Sequence, residues 1–136
     1  MSVLVDTPVW SAALRKRLAP EAESVVSEFS KLLYQGVAIL PGIIRQEVLS
    51  GIADAAQFRK IRDQLRDFED FPIERDDHEL AAELFTRCRS KGVQGSHTDF
   101  LLCALSMRRD MPIFTTDKDF DLFSKHIKIH LHHFSV

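Results

Sequence analysis

At 136 residues the chain suffices for one compact domain with its own hydrophobic core and is too short to divide comfortably, so residues 1–136 are read as a single domain. Hydrophobic residues make up 45% and charged residues 28%, with no apolar run near the ~20 residues that cross a bilayer, which excludes a helical membrane protein and predicts a soluble one. The net charge of −2 argues against a generally basic nucleic-acid coat, so any such contact must be local; the candidates are Arg15, Lys16 and Arg17, then Arg59, Arg62 and Arg66, then Arg108 and Arg109, each group taken singly reading first as a solvated surface face.

In chain order, Val3 to Val5 is a short apolar run ended by Asp6-Thr7-Pro8, the pattern of a buried strand that stops at a turn opening a helix. An acid this early, without a basic segment and a longer apolar stretch, is unlike a secretory signal and places the protein in the cytoplasm. From Glu21 to Tyr34, the spacing of Val25, Val26, Phe29, Leu32 and Leu33 predicts an amphipathic helix that Gly36 can end. Val37 to Leu40 reads as a second strand. Pro41-Gly42 opens a helix in which Ile44, Val48 and Ile52 form a stripe and Glu47 falls off it.

A further helix, capped by Asp54, carries Phe58, Ile61, Leu65 and Phe68, and the piece around Phe71 to Ile73 is either a minor strand or a plain connection. Asp76 or Asp77 can cap the helix bearing Leu80, Leu84, Phe85 and Cys88, which stops before Gly92. Thr98 to Arg109 is apolar almost all round, the mark of a buried helix, with Asp99 in its first turn. Pro112-Ile113-Phe114 is a short strand followed by Thr115-Thr116-Asp117 and a brief helix with Phe120 and Phe123. Ile127, Ile129 and Leu131 alternate with Lys128, His130 and His132, the pattern of an edge strand with one wet face. Cys88 and Cys103 lie within apolar helical patterns without metal-ligand spacing and read as reduced core thiols.

Strands alternating with helices predict an α/β domain, a mostly parallel central sheet with helices on both faces. Ligands of such sheets bind beyond the carboxyl ends of the strands. Asp6 and Asp117 follow two strands and should emerge at that one edge. Glu47, one to two turns into its helix, and Asp99, opening the buried helix, can project towards it. Each acid alone has a plainer role: Asp6 and Asp117 as helix caps, Asp99 as a complement to a helix dipole, Glu47 as a solvent-facing side chain. Four carboxylates gathered in a partly buried site repel one another unless a cation intervenes. Oxygen-only ligation favours a hard ion, Mg²⁺ or Mn²⁺, over zinc, and such an ion can activate water against a phosphodiester.

Four segments together resemble the PIN-domain family, and within it the VapC-type toxins of bacterial and archaeal toxin–antitoxin pairs. They are Leu4-Val5-Asp6-Thr7 with Trp10 and Ser11; Arg45-Gln46-Glu47-Val48-Leu49-Ser50-Gly51; Thr98-Asp99-Phe100-Leu101-Leu102-Cys103-Ala104; and Phe114-Thr115-Thr116-Asp117-Lys118-Asp119-Phe120. Each motif alone is weak, but the four stand in the family's order and span nearly the whole chain. The resemblance implies a PIN-like fold and a metal-dependent endoribonuclease with Asp6, Glu47, Asp99 and Asp117 as the metal site, Asp119 as an additional acid and Thr115 as a supporting hydroxyl. It also implies an RNA substrate, a homodimer, and a cognate antitoxin that wraps the toxin and can place a basic side chain among the acids. Pro8, where a small polar residue is common, and Cys103, in place of a typical alanine, depart from the pattern without touching an acidic position. His97 is no part of it and reads as an ordinary loop histidine.

Two rivals are set against this reading. A phosphatase with an aspartate nucleophile would also place an acid after the first strand, but Asp6-Thr7-Pro8 lacks the second aspartate two positions on. A non-catalytic PIN-like module holding RNA or protein is favoured by loss of one of the acids, and all four are present. The five glycines are scattered singly, so there is no Gly-rich phosphate loop, and His130 and His132 are read as a wet terminal edge before a metal site. Trp10 reads as core rather than as a platform for bases.

Overall fold

The computed structural model describes residues 1–15 and 17–135. Lys16, grouped with Arg15 and Arg17 in the charge reading, lies outside the described residues. The first strand, β1 (Val3–Val5), pairs in parallel with β2 (Ala38–Pro41) on one side and with β4 (Ile113–Phe114) on the other; β2 in turn pairs with β3 (Asp70–Phe71). The sheet order is β3-β2-β1-β4, with every pairing parallel. Successive strand side chains point to opposite faces, and Val3, Leu4 and Val5 are all buried, so β1 is covered on both sides. The α/β architecture with a parallel sheet is the one expected.

The covering helices are α1 (Thr7–Ala13), α2 (Glu23–Tyr34), α3 (Gly42–Ser50), α4 (Ala55–Leu65), α5 (Arg75–Ser90), α6 (His97–Arg109) and α7 (Asp119–Phe123). Helix α1 begins where Asp6, in an extended conformation, accepts the Thr7 N–H and Pro8 takes a first-turn position that needs no N–H donor. Helix α2 ends at Gly36, whose φ of +71° only glycine adopts without strain. Helix α6 is the central column: Phe100 to Ser106 are all buried, as the unbroken apolar run requires. Beside it Gly95 lets the chain pass Phe123 and Phe100, since a Cβ there would stand 2.5 Å from the Phe123 ring. Trp10 is a core residue: its indole N–H donates to the Val5 carbonyl at 3.1 Å, and its ring packs edge-on against Phe29 and Phe68.

Four local expectations are corrected. Helix α4 keeps its Asp54 cap but ends at Leu65, before Phe68, because Arg45 reaches across to take the Leu65 and Phe68 carbonyls at 2.8 and 2.6 Å. The N-cap residue of α5 is Glu74, not Asp76 or Asp77; Asp77, three positions on, completes the capping box by accepting the Glu74 N–H, and its buried carboxylate also takes hydrogen bonds from Arg108 and Arg109. The segment from Ile127 to Leu131 buries Ile127 and Ile129 in alternation but is not a strand. Its backbone meets β4 only at the Ile113–Leu131 bridge, since β4 itself is two residues long. Finally, His132 is not on a wet edge: its Nε2 lies 2.5 Å from Glu28 Oε2 and its ring packs at 5.2 Å from that of Phe114.

Candidate active site

The carboxyl ends of β1 and β4 lie side by side, because the Asp6 N–H donates to the Phe114 carbonyl at 2.9 Å. Chain direction then delivers Asp6 and, just past β4, Thr115 and Asp117 to the same edge. Asp6 is buried, and both its oxygens are used: Oδ1 accepts the Thr7 N–H at 2.8 Å and Oδ2 the Thr115 hydroxyl at 2.7 Å. Thr115 Oγ1 in turn accepts the Asp117 N–H at 3.0 Å, so one hydroxyl fixes the spacing of two acids.

Glu47, on α3, is tied to the same edge by Thr7, whose hydroxyl donates to Glu47 Oε1 at 2.6 Å across forty residues of sequence. Asp99 stands in the first turn of α6 within a reciprocal cap: it accepts the Ser96 N–H through Oδ2, and its own N–H donates to Ser96 Oγ, both at 3.0 Å. Asp119 is exposed and reaches the cluster through its backbone, its N–H donating to Asp117 Oδ1 at 2.9 Å.

Electrostatics tie the four acids into one group. Burial pushes Asp6 up from 3.8 to about 6; the bonds from Thr115 and Thr7 oppose this, and the negative charges of Asp99 and Glu47 add to it. Asp99 is also raised, first by burial and then by the charges of Asp117 and Glu47. Behind it Cys103, one turn along α6, is raised well above its ordinary value by burial and by the nearby acids, which leaves an inert thiol. Among the described residues no cation pairs with Asp6, Glu47, Asp99 or Asp117.

No three His, Cys, Asp or Glu side chains among the described residues are drawn together as a ready-made metal cage. Asp6, Glu47, Asp99 and Asp117 each hold a protein donor instead. As a donor set, carboxylates at one sheet edge with a hydroxyl between two of them, and neither sulfur nor imidazole among them, match the preference of a hard divalent ion.

Sequence reasoning missed Thr7 and Ser96, which hold Glu47 and Asp99. Ser96-His97-Thr98-Asp99 is a capping-box pattern and was open to reading; the Thr7–Glu47 contact depends on the packing of α1 against α3 and was not. The basic candidates divide. Arg108 and Arg109 are spent on Asp77 and Glu74, and Arg62 and Arg66 on Asp63, while Arg59 is exposed. Arg15 lines a cleft that contains Thr7 and Glu47. His97 stacks on Phe85 with centroids 4.9 Å apart.

A search among curated protein sequences returns no significant match. Solved structures similar in fold include FitAcB from Neisseria gonorrhoeae, at 17% identity and a TM-score of 0.76 over 96% of each chain. VapBC2 from Rickettsia felis, bound to a DNA fragment from its promoter, is similar at 16% identity and a TM-score of 0.77, over 99% of this chain and 100% of the other. VapBC-5 from Mycobacterium tuberculosis, of the VapBC family of toxin–antitoxin systems, is similar at 17% identity and a TM-score of 0.64 over 96% of each chain. The PIN-domain family model matches residues 3–125, which contain all four acids, and the chain therefore belongs to the PIN-domain family.

Proposed function

We propose that this chain is a metal-dependent endoribonuclease using Mg²⁺ or Mn²⁺, and the toxin of a VapBC-type toxin–antitoxin pair. The observation that carries the reading is the buried Asp6, which shares its sheet edge with Asp117 through Thr115, feels the charges of Asp99 and Glu47, and has no salt bridge to a cation among the described residues. Asp77, the other buried acid, is paired with two arginines, whereas Asp6 has hydrogen bonds but no ion pair and so fits a positive charge supplied from outside. The similarity in fold to VapBC proteins supports the toxin role and a cognate antitoxin; a homodimer and a cytoplasmic setting belong to the same proposal.

Asp6, Asp99 and Asp117 would hold the ion, and Asp119 stands near enough in sequence to assist. When bound, a hard divalent ion neutralises the acids, polarises a phosphoryl oxygen and lowers the pKa of a water nucleophile. Thr115 keeps Asp6 and Asp117 in fixed relation. Glu47, with Oε1 held by Thr7, has Oε2 left to orient the attacking water and take its proton.

The test is cleavage of a mixed cellular RNA pool by the purified wild type and by Asp99→Asn, with Mg²⁺, with Mn²⁺ and with chelator. Cleavage by the wild type in metal, absent in chelator and reduced at least about a hundredfold in the variant, is the expected result. A folded, antitoxin-free protein that binds RNA in chelator and cuts nothing under either metal would leave the non-catalytic PIN-like module as the function.

A further inference from the structure

A cleft of about 610 Å³ lies between α1, α3 and α4 and borders the candidate site, since Glu47 and the Thr7 that holds it belong to its wall. Its size is that of a small-molecule site, and its apolar lining is aliphatic: Leu14, Val48, Ile52 and Ile61. Three kinds of polar group share that lining. Arg15 brings a cation, Ser11 a hydroxyl, and Gln57 a carboxamide. The Gln57 backbone N–H is taken by Asp54, which spends the Asp54 carboxylate on capping α4 and offsets its charge against the helix dipole.

We propose that this cleft is the subsite for one unpaired base of the RNA, next to the bond that is cut. The proposal rests on the nuclease reading above and adds the part of the substrate that is read. An unpaired base presents flat apolar faces and a hydrogen-bonding edge, and pockets for such bases combine apolar walls with a few polar side chains. Here the aliphatic lining takes the faces, Gln57 and Ser11 meet the edge, and Arg15 binds the flanking phosphate. A carboxamide can both donate and accept, so Gln57 discriminates between bases rather than merely attracting them. Glu47, which lines the cleft and belongs to the candidate site, makes the two adjacent. A duplex cannot offer such a base, so the substrate is a single-stranded or looped segment.

Two measurements on the full chain test this. Cleavage of an RNA library randomised around the cut is sequenced for the wild type, Gln57→Ala and Arg15→Ala. The wild type should show a base preference at one position beside the cut. Gln57→Ala should flatten it there by about tenfold, and Arg15→Ala should raise KM and lower the salt slope by about one ion. In parallel, single-stranded RNA carrying 5-iodouridine is photo-crosslinked to the wild type in chelator, and the adducts are expected on the peptides bearing Ser11 and Gln57.

Normal cutting with an unaltered preference in Gln57→Ala, and adducts elsewhere, would overturn the subsite and leave the nuclease standing; the cleft would then be free for an apolar side chain of a protein partner. Adducts in the cleft with no cleavage under any metal would do the reverse.

Discussion

Asp77 and Asp6 are both enclosed, yet Asp77 accepts hydrogen bonds from Arg108 at 2.6 Å and Arg109 at 2.7 Å, whereas Asp6 has only a hydroxyl and a backbone N–H. Their acidities part accordingly. Burial raises both, but at Asp77 the bonds from Arg109, the Glu74 N–H and Arg108 outweigh it and hold the carboxyl below 3.8, while at Asp6 burial wins and neighbouring acids add to it. The pair at Asp77 ties the start of α5 to the end of α6 and exists to hold the fold. At Asp6 the fold holds an arrangement that its own charges oppose. Raising Asp6 from 3.8 to about 6 corresponds to about 3 kcal/mol against the ionised form.

The comparison is broken most forcefully at Asp77. Asp77→Asn leaves two arginines facing a neutral amide, and unfolding free energy should fall by about 3 kcal/mol. That is the low end for a broken buried pair, because the two arginine side chains remain 30% and 21% exposed. Thermal melting should drop by about 10 °C. The wild-type contribution has a defined pH window: Asp77 is depressed when folded, so its stabilisation is present above the ordinary carboxylate range and is lost as pH falls through the lower folded value. The deficit of the variant should therefore shrink below about pH 4. Cleavage per folded molecule should survive, and if it is lost along with stability, the division between a structural and a functional acid fails.

The next test runs in the opposite direction. Asp6 is raised when folded, so its contribution to stability is favourable below about pH 4 and is lost as pH rises through about 6. At pH 7.5 without divalent ions, Asp6→Asn should therefore melt higher than wild type by about 1–2 kcal/mol of stability, and the gain should fade at pH 5. Adding Mg²⁺ or Mn²⁺ should stabilise the wild type, more at pH 7.5 than at pH 5, and the variant much less, because protons and metal compete for the same oxygens. A variant that melts lower than wild type at every pH would mean that Asp6 is a structural acid after all.

What the sequence made legible and what it hid divide along the same line. The apolar run of α6, the strands around Leu4 and Ile113 and the placing of Asp6 and Asp117 just beyond them are local patterns, and the parallel-sheet rule converts them into a shared edge. Asp77 reads as a capping acid and does complete the capping box of α5, but its arginine partners lie more than thirty residues on and leave no local sign. For the same reason Arg108 and Arg109 read as a basic patch although the fold spends them internally. At the C-terminus, the alternation of Ile127 and Ile129 reports which side chains are buried, not whether a backbone neighbour is long enough to form a ladder. Contacts closed by tertiary packing, such as Thr7 with Glu47 or Glu28 with His132, leave no periodic trace.

The smallest expected effect sharpens the comparison at Asp99, which serves both ends at once by capping α6 and facing the other acids. Ser96→Ala removes the hydroxyl that accepts the Asp99 N–H but keeps the residue 96 N–H that holds Asp99 Oδ2. Loss of such a cap costs about 1 kcal/mol, so melting should fall by a few degrees. The carboxylate keeps its tether, and the metal-induced rise in melting temperature should therefore match that of the wild type within about a degree. A large loss of the metal response in Ser96→Ala would show that the hydroxyl positions the carboxylate, and would move Ser96 from the helix cap into the functional site.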